Sequence, residues 1–418
     1  MISRVRGTQD YIDLVLYNFA LDGIKKHLAL YNFSEIQTPI LEHTELFVHS
    51  LGSDTDVVSK EMYVFESGGE ASSEKSICLR PEGTAPVIRA CFENSIQRFP
   101  WKVFMHGPMF RRERPQKGRY RQFHQTTVEV VGSLSIAQDV QLIKMFDALF
   151  SQVFKLEDYI LKINFLGCLN DRKEHKNQLR AFLDQNINNI CQTCVARKDT
   201  NTLRVFDCKN EACAELYKNA PKLTQFLCET CAQEWTVLQK NLEMLSVSHV
   251  IDPTLVRGLD YYNKTVFEFA SMNLGSQNAF LGGGRYNLGH QVGAKQDYEC
   301  VGAAIGMERL LLLIEQNKNK YTFASQQALH VILPLSLEQH SVALLLAQDL
   351  QDHGFATEIV FEKASMTNMM KKADKLGASF ALIIGDDEQK NGTVSVKNMS
   401  TGVDQKIAQS ELVTFLKK

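Results

Sequence analysis

The stretch FRRERPQKGRYRQFHQTTVEVVG, from Phe110 to Gly132, decides how the N-terminal part of this chain is read. Arg111, Arg112, Arg114, Lys117, Arg119 and Arg121 crowd six cations into eleven residues, opposed within that span only by Glu113. The 418-residue chain has a formal charge of −2, so this positive charge is local and points to an anion bound beside it. Phe123, Gln125, Thr127, Glu129 and Val131 then recur at every second position, the period of a strand. The segment reads as an arginine-rich hairpin whose second arm carries Gln125 and Glu129 on one face. A solvated charged loop is the alternative, and the polar residues of the adjoining strand weigh against it.

Working outward, the length implies two or three domains. Hydrophobic content of 44% and charged content of 22% are those of an ordinary globular chain. The first ten residues lack a signal-peptide core, and apolar runs such as Leu310 to Ile314 are far shorter than a membrane helix needs. A cytoplasmic protein without a membrane partner is expected, with its ten cysteines as thiols or metal ligands rather than disulfides.

Residues 1–168 mix helix and strand. A helix is expected over Tyr11 to Tyr31, with Leu14, Phe19, Leu21, Ile24 and Leu28 inward, and a strand over Phe33 to Pro39. Met62 to Glu66 and Ser76 to Leu79 read as paired strands around a loop from Ser67 to Lys75. A helix should run from Ser135 to about Phe154. Residues 169–240 form a polar, helical, cysteine-rich insertion, and 241–320 return to strand patterning from Val256 to Phe269. Gly282 to Gly284 reads as a turn, and a helix opens at Gly306. Residues 326–418 alternate strand and helix, which predicts a separate α/β domain with a mostly parallel sheet; Asn391-Gly392 marks a hairpin turn in it.

The chain has no lysine-bearing P-loop, so a nucleotide would be held by arginines. Arg111 offers a planar fork for two phosphate oxygens, and Arg309, at a helix start, suits a terminal phosphate. Leu255 to Tyr262 (LVRGLDYY) is the second concentrated segment, read as a strand. Arg257 would face Arg111 across a phosphoryl centre, with Tyr262 reading a polar substrate. A surface strand with tyrosines along its edge is the plainer reading.

These segments resemble those of the histidyl-tRNA synthetases, a class II aminoacyl-tRNA synthetase family, over essentially the whole chain. Thr38-Pro39-Ile40-Leu41-Glu42 resembles motif 1, with its dimer-interface proline. Phe110-Arg111-Arg112-Glu113 resembles motif 2 and Gly306-Met307-Glu308-Arg309 motif 3. Arg6 to Asp10, Leu79 to Thr84 and Arg257 to Tyr262 are similar to segments typical of histidine-specific members. The resemblance implies an α+β catalytic domain on an antiparallel sheet, interrupted by the helical insertion and followed by an α/β anticodon-binding domain. It implies a homodimer that activates histidine with ATP and Mg2+ and transfers it to tRNA(His).

Carried over residue by residue, Arg111 and Arg257 would flank the α-phosphate as catalytic cations. Arg119 and Arg309 would hold the outer phosphates, and Glu113 would contact the adenine side. Glu82, Thr84 and Gln125 would hold the α-ammonium of histidine, although Glu82 and Thr84 are equally suited to capping a helix. Glu129 would accept an imidazole N–H while Tyr262 engages the other nitrogen, with Tyr261 and Tyr286 lining the pocket. Arg114, Gln116 and Lys117 would meet the tRNA acceptor end. Arg112 and Asn287 depart from the residues usual in relatives, and the segment after Asn287 is one residue short.

Cys191, Cys194, Cys228 and Cys231 form two CxxC pairs, the spacing of a structural zinc site. Six cysteines in the insertion for four positions leave the choice open, with Cys208 or Cys213 able to substitute. Reduced thiols without metal are the alternative, and Cys78, Cys91, Cys168 and Cys300 read as core. Two further functional readings stand beside the enzyme: a synthetase-like regulatory subunit of histidine biosynthesis that binds histidine without charging tRNA, and a general nucleotide- or RNA-binding module. Retention of Arg111, Arg257, Arg309 and the C-terminal domain favours the enzyme.

Overall fold

The computed structural model describes residues 2–53, 55–65, 76–133, 135–259, 261–275, 278–323, 327–362 and 364–417. The chain divides into two compact units, Met1–Phe323 and Ala324–Lys418. The expected loop from Ser67 to Lys75 lies outside the described residues, as do Glu66 and Asp260.

The strands of the first unit are β1 (Ser34–Glu35), β2 (Leu41–His43), β3 (Tyr63–Phe65), β4 (Ile77–Leu79), β5 (Trp101–Phe110), β6 (Gln122–Val131), β7 (Ile160–Phe165), β8 (Val250–Ile251), β9 (Tyr262–Ala270), β10 (Ala279–Tyr286) and β11 (Cys300–Gly306). Eight of them form one sheet in the order β1-β5-β6-β11-β10-β9-β7-β8. Every pairing from β5 to β7 is antiparallel, while the short edge strands β1 and β8 pair in parallel. A small sheet, β2-β4-β3, flanks it.

One face of the large sheet is the main core. Val128 and Val130 of β6, Phe267 and Phe269 of β9, and Val301, Ala303 and Ile305 of β11 pack there with helices Val15–Leu30, Ile136–Ala148, Glu229–Met244 and Met307–Gln316. The period of two then sends Gln125, Thr127 and Glu129 to the opposite face, as their alternation predicts. Ile24 and Leu28 are buried as expected, but the first helix begins at Val15 and leaves Leu14 exposed. Ser135 caps the helix at Ile136–Ala148, accepting the Ala137 N–H at 3.2 Å.

Three further expectations fail in the first unit. Gly282 to Gly284 do not turn the chain; they lie inside β10. They are glycine because neighbours in the sheet leave no room: a β-carbon at 283 would meet the Gly302 carbonyl oxygen, and one at 284 the Thr265 carbonyl oxygen at 2.5 Å. The strand expected from Val256 starts only at Tyr262, so Arg257 sits on the loop before β9. The strand expected over Phe33 to Pro39 is confined to Ser34–Glu35.

The insertion contributes helices Leu169–Gln185, Gln192–Thr200, Glu211–Tyr217 and Glu229–Met244. Its own apolar cluster is small, built around Leu179, Leu183, Ile190, Val205 and Tyr217. Leu238 and Leu242 of the last helix belong instead to the main core.

In the second unit, β12 (Leu329–Pro334), β13 (Ala356–Ile359), β14 (Phe380–Ile384), β15 (Thr393–Asn398) and β16 (Asp404–Ala408) form a sheet in the order β13-β12-β14-β15-β16. Pairings β13-β12 and β12-β14 are parallel, whereas β14-β15 and β15-β16 are antiparallel, so the sheet is mixed rather than mostly parallel. Ile332 faces helix His340–Asp352, and its neighbours Val331 and Leu333 face helix Met366–Lys375. Asn391-Gly392 is not a hairpin turn: Asn391 ends helix Asp386–Asn391, and Gly392 is its left-handed cap at φ 62°.

Candidate active site

The polar face of the large sheet floors a cleft of about 990 Å³. Gly282, Ala304 and Gly306 keep this floor low, and the side chains that line the cleft stand around it. A β-carbon at 282 would fall inside the Arg257 guanidinium, and one at 302 inside the Glu129 carboxylate. Small residues on β10 and β11 therefore make space for charged groups reaching across the sheet.

The hairpin supplies the cationic wall. Phe110 pairs with Gln122, so Arg111 to Arg121 form its connecting loop. Gln116 and Arg119 exchange backbone hydrogen bonds (3.1 and 2.9 Å) around Gly118, whose φ is 73°. Gly7 accepts the Arg121 N–H at 2.8 Å, which seats the N-terminal segment on the loop. Arg119 turns back to pair with the buried Glu113, and Arg111 lies 3.9 Å from the same carboxylate. Arg111 Nε donates to the Pro81 carbonyl at 2.9 Å, with its guanidinium 5.3 Å from the Phe123 ring centre.

Arg309 Nε donates to the Gly118 carbonyl at 2.8 Å, joining the helix at Met307–Gln316 to the hairpin tip. Its pKa is pushed down to about 10, first by burial and then by the charges of Arg119 and Arg111, with Arg257 adding to them. Arg257 donates to Glu268 at 3.2 Å, and its Nε is a buried donor with no partner among the described residues. Burial works against its charge, but Glu268 and the neighbouring tyrosines outweigh it and raise its pKa. Arg111, Arg119 and Arg257 thus crowd Arg309 in one cleft, and their charges repel its own. Such crowding suits a ligand with several negative charges.

The other end of the cleft is finer. Glu82 caps helix Thr84–Glu93, accepting the Thr84 N–H at 2.7 Å and the Ala85 N–H at 2.9 Å, so it does the capping that its sequence position allowed. Thr84 Oγ1 and the Tyr286 hydroxyl each donate to Glu129 at 2.6 Å. Glu82, Thr84, Gln125, Tyr261 and Tyr262 line the cleft; Glu129 and Tyr286 stand behind that surface. Burial, with Glu82 adding to it, lifts Glu129 to about 8 against the two hydroxyl donors. Tyr262 has the Tyr261 hydroxyl, not Glu129, as its hydrogen-bond partner, at 3.5 Å. Gln125 Oε1 is buried and has no partner among the described residues.

Arg114, Gln116 and Lys117 are exposed at the hairpin tip and outside the cleft lining. Glu268 was missed in the sequence; its signal was one acid among the apolar residues Val266, Phe267 and Phe269. Glu308 joins Tyr11, at 3.0 Å, to His124, whose backbone N–H it accepts at 2.8 Å. Arg197, Arg204 and Asp207 of the insertion also line the cleft, and Arg204 donates to the Gly258 carbonyl at 3.1 Å. The two CxxC pairs do not meet each other. Cys191 and Cys194 converge with Cys208 and Cys213, whereas Cys228 and Cys231 converge with Asp171 and Cys168, a residue read as core.

A family model described as histidyl-tRNA synthetase matches residues 24–310, and one described as an anticodon binding domain matches residues 330–418. A histidine–tRNA ligase of Halothermothrix orenii is 40% identical over 99% of this chain and 98% of its own length. One from Clostridioides difficile is 38% identical over 99% and 98%. The solved apo histidyl-tRNA synthetase of S. aureus superposes with a TM-score of 0.81 at 31% identity, covering 100% of both chains. A Bacillus halodurans structure titled as an ATP phosphoribosyltransferase regulatory subunit/histidyl-tRNA synthetase shares the fold at 18% identity and a TM-score of 0.60, over 89% of this chain and 96% of its own. With the family model matched over residues 24–310 and relatives 38–40% identical over 99% of its length, the chain belongs to the histidyl-tRNA synthetase family.

Proposed function

We propose that the protein activates histidine with ATP and charges tRNA(His). In the first step a carboxylate oxygen of histidine bonds to the α-phosphorus, the bond to the bridging oxygen breaks, and pyrophosphate leaves with the electron pair. In the second, a ribose hydroxyl of the terminal adenosine bonds to the carbonyl carbon and loses its proton, the bond from that carbon to the phosphate oxygen breaks, and AMP departs with the electron pair. The carrying observation is the crowding of Arg111, Arg119 and Arg257 around Arg309. Arg111 and Arg257 meet the charge that grows on the α-phosphate, already held in place by Pro81 and Glu268. Arg119 and Arg309 take the outer phosphates, and Glu113 orients Arg119 while facing the adenine. Mg2+ would arrive bound to the triphosphate, as part of the substrate.

Histidine lies at the opposite end. Gln125, Glu82 and Thr84 receive the α-ammonium, and the imidazole sits among Tyr261, Tyr262 and the Glu129–Tyr286 pair. Glu129 spends one lone pair per oxygen on Thr84 and Tyr286 and keeps others for an imidazole N–H. A pocket of this kind discriminates strongly against isosteres lacking the ring nitrogens. The exposed Arg114, Gln116 and Lys117 approach the tRNA acceptor end, and the C-terminal unit reads the anticodon.

A homodimer belongs to the same reading: Ile40, Leu41, Val64 and Phe65 leave apolar surface exposed on and beside the small sheet, next to the motif-1-like segment. No helix among the described residues is long and apolar enough to cross a membrane. A cytoplasmic location follows from the proposed substrates. Incubation with tRNA(His), ATP and labelled histidine tests the function. Formation of histidyl-tRNA is expected; histidine binding without charging would point to the regulatory reading instead.

A further inference from the structure

Seven of the ten cysteines gather at two points of the first unit, and the ligand atoms of each set lie within 4.8 Å of one another. We propose that the insertion holds two zinc ions, one on Cys191, Cys194, Cys208 and Cys213, the other on Cys168, Asp171, Cys228 and Cys231. Neither set is the one that CxxC spacing alone suggests. Tetrahedral zinc with sulfur ligands at about 2.3 Å needs sulfurs about 3.8 Å apart. Cys191 Sγ and Cys208 Sγ stand 3.6 Å apart.

Helix starts explain the geometry of both sites. Cys191 is the N-cap of helix Gln192–Thr200 and Cys194 its third residue. Cys228 and Cys231 hold the same two positions on helix Glu229–Met244. Cys168 and Asp171 hold them on helix Leu169–Gln185, which makes Cys168-Leu169-Asn170-Asp171 an unrecognised counterpart of a CxxC pair. N-cap and third-residue side chains converge over the first turn, so each pair offers two ligands to one point. The second site is thus formed where two such helix starts meet.

The outer hydrogen bonds fit anionic ligands. The Cys191 N–H points at Cys213 Sγ at 3.2 Å. Asp171 accepts the Cys168 N–H on one oxygen and the Cys228 N–H on the other, both at 3.0 Å, leaving a lone pair on each oxygen for a cation. Three thiolates with one carboxylate, or four thiolates, are donor sets that zinc accepts. The apolar cluster of the insertion is also small enough that a metal staple accounts for its order.

The first site bears on the cleft. Cys191 and Cys208 both line it, and between them in sequence lies Arg204, which holds the Gly258 carbonyl next to Arg257. The metal would fix that brace. This consequence rests on the proposed function; the metal content itself does not.

The test is zinc measured by plasma mass spectrometry in full-length, untagged protein purified without chelator. Two zinc ions per chain are expected, falling to one in Cys213→Ser, to one in Asp171→Ala or Cys228→Ser, and to none when a substitution from each set is combined. Because a variant can fail to fold, wild-type protein is also refilled with Co2+, which should show tetrahedral cobalt–thiolate bands saturating at two equivalents. Zinc well below one per chain would overturn the proposal. So would a single zinc lost alike from Cys191→Ser and Cys228→Ser, because one site would then join the two CxxC pairs. Loss of histidine activation in a protein that keeps two zinc ions would count against the proposed function alone.

Discussion

Tyr286 donates its hydroxyl hydrogen to Glu129 Oε2 at 2.6 Å, between β10 and β6 and out of reach of solvent. The carboxyl group is titrated up to about 8 by this burial, far above the ordinary value of about 4.3. In the native state it binds a proton that the unfolded chain releases at lower pH. Its stabilisation is therefore complete below about pH 4.3 and is lost as pH rises toward 8. Glu82 is shifted upward as well, chiefly by burial, and acts in the same sense. Glu129→Gln should lose less unfolding free energy than wild type between pH 5.5 and 8.5, by an amount on the order of a few kcal/mol, and so show a flatter dependence of melting temperature on pH. Parallel melting curves for the two proteins would remove Glu129 from this role.

Arg257→His should cut histidine-dependent ATP–pyrophosphate exchange by about 10²- to 10³-fold, the usual loss for a preorganised charge at a transition state. Folding should survive, since Arg257 sits on a loop and its guanidinium donates to the single side chain of Glu268. Circular dichroism and the exchange rate, measured on the same sample, separate the two effects.

The glycines of β10 give a sharper pair. An alanine at 282 collides with the far end of Arg257, a flexible side chain, so the strand should persist while the guanidinium moves. Gly282→Ala is expected to lower kcat for exchange tenfold or more, as for an angstrom-scale misplacement, up to about 10². An alanine at 283 collides with the Gly302 backbone, and Gly283→Ala should instead cost stability, by about 1–3 kcal/mol in denaturant titration. Equal effects on stability would contradict this division.

At the hairpin tip, Arg114→Ala and Lys117→Ala should leave amino-acid activation untouched and raise the KM for tRNA(His). Each lost phosphate contact should lower the salt dependence of tRNA binding by about one ion. Filter binding over a series of salt concentrations reads that slope.

Much of this site was legible because strands and motifs are local. The alternation from Phe123 to Val131 correctly separated the core face of β6 from its polar face. What failed depended on residues distant in sequence. Gly282 to Gly284 look like a turn in isolation, yet Arg257, Gly302 and Thr265 across the sheet demand glycine there. Asn391-Gly392 serves a hairpin and a helix cap equally well, and the short helix before it decides. CxxC spacing marked pairs but not their partners; Asp171 was hidden because an acid in the first helical turn is common without a metal. Arg204 carried no sequence signal for its place at the cleft.

The central claim is that the arginine-crowded cleft activates histidine. It is tested most directly by ATP–pyrophosphate exchange with the purified chain and each of the twenty amino acids in turn. Exchange above background with histidine alone is the predicted result. Its absence with histidine under conditions where the protein is folded and binds ATP, or faster exchange with another amino acid, would contradict the account.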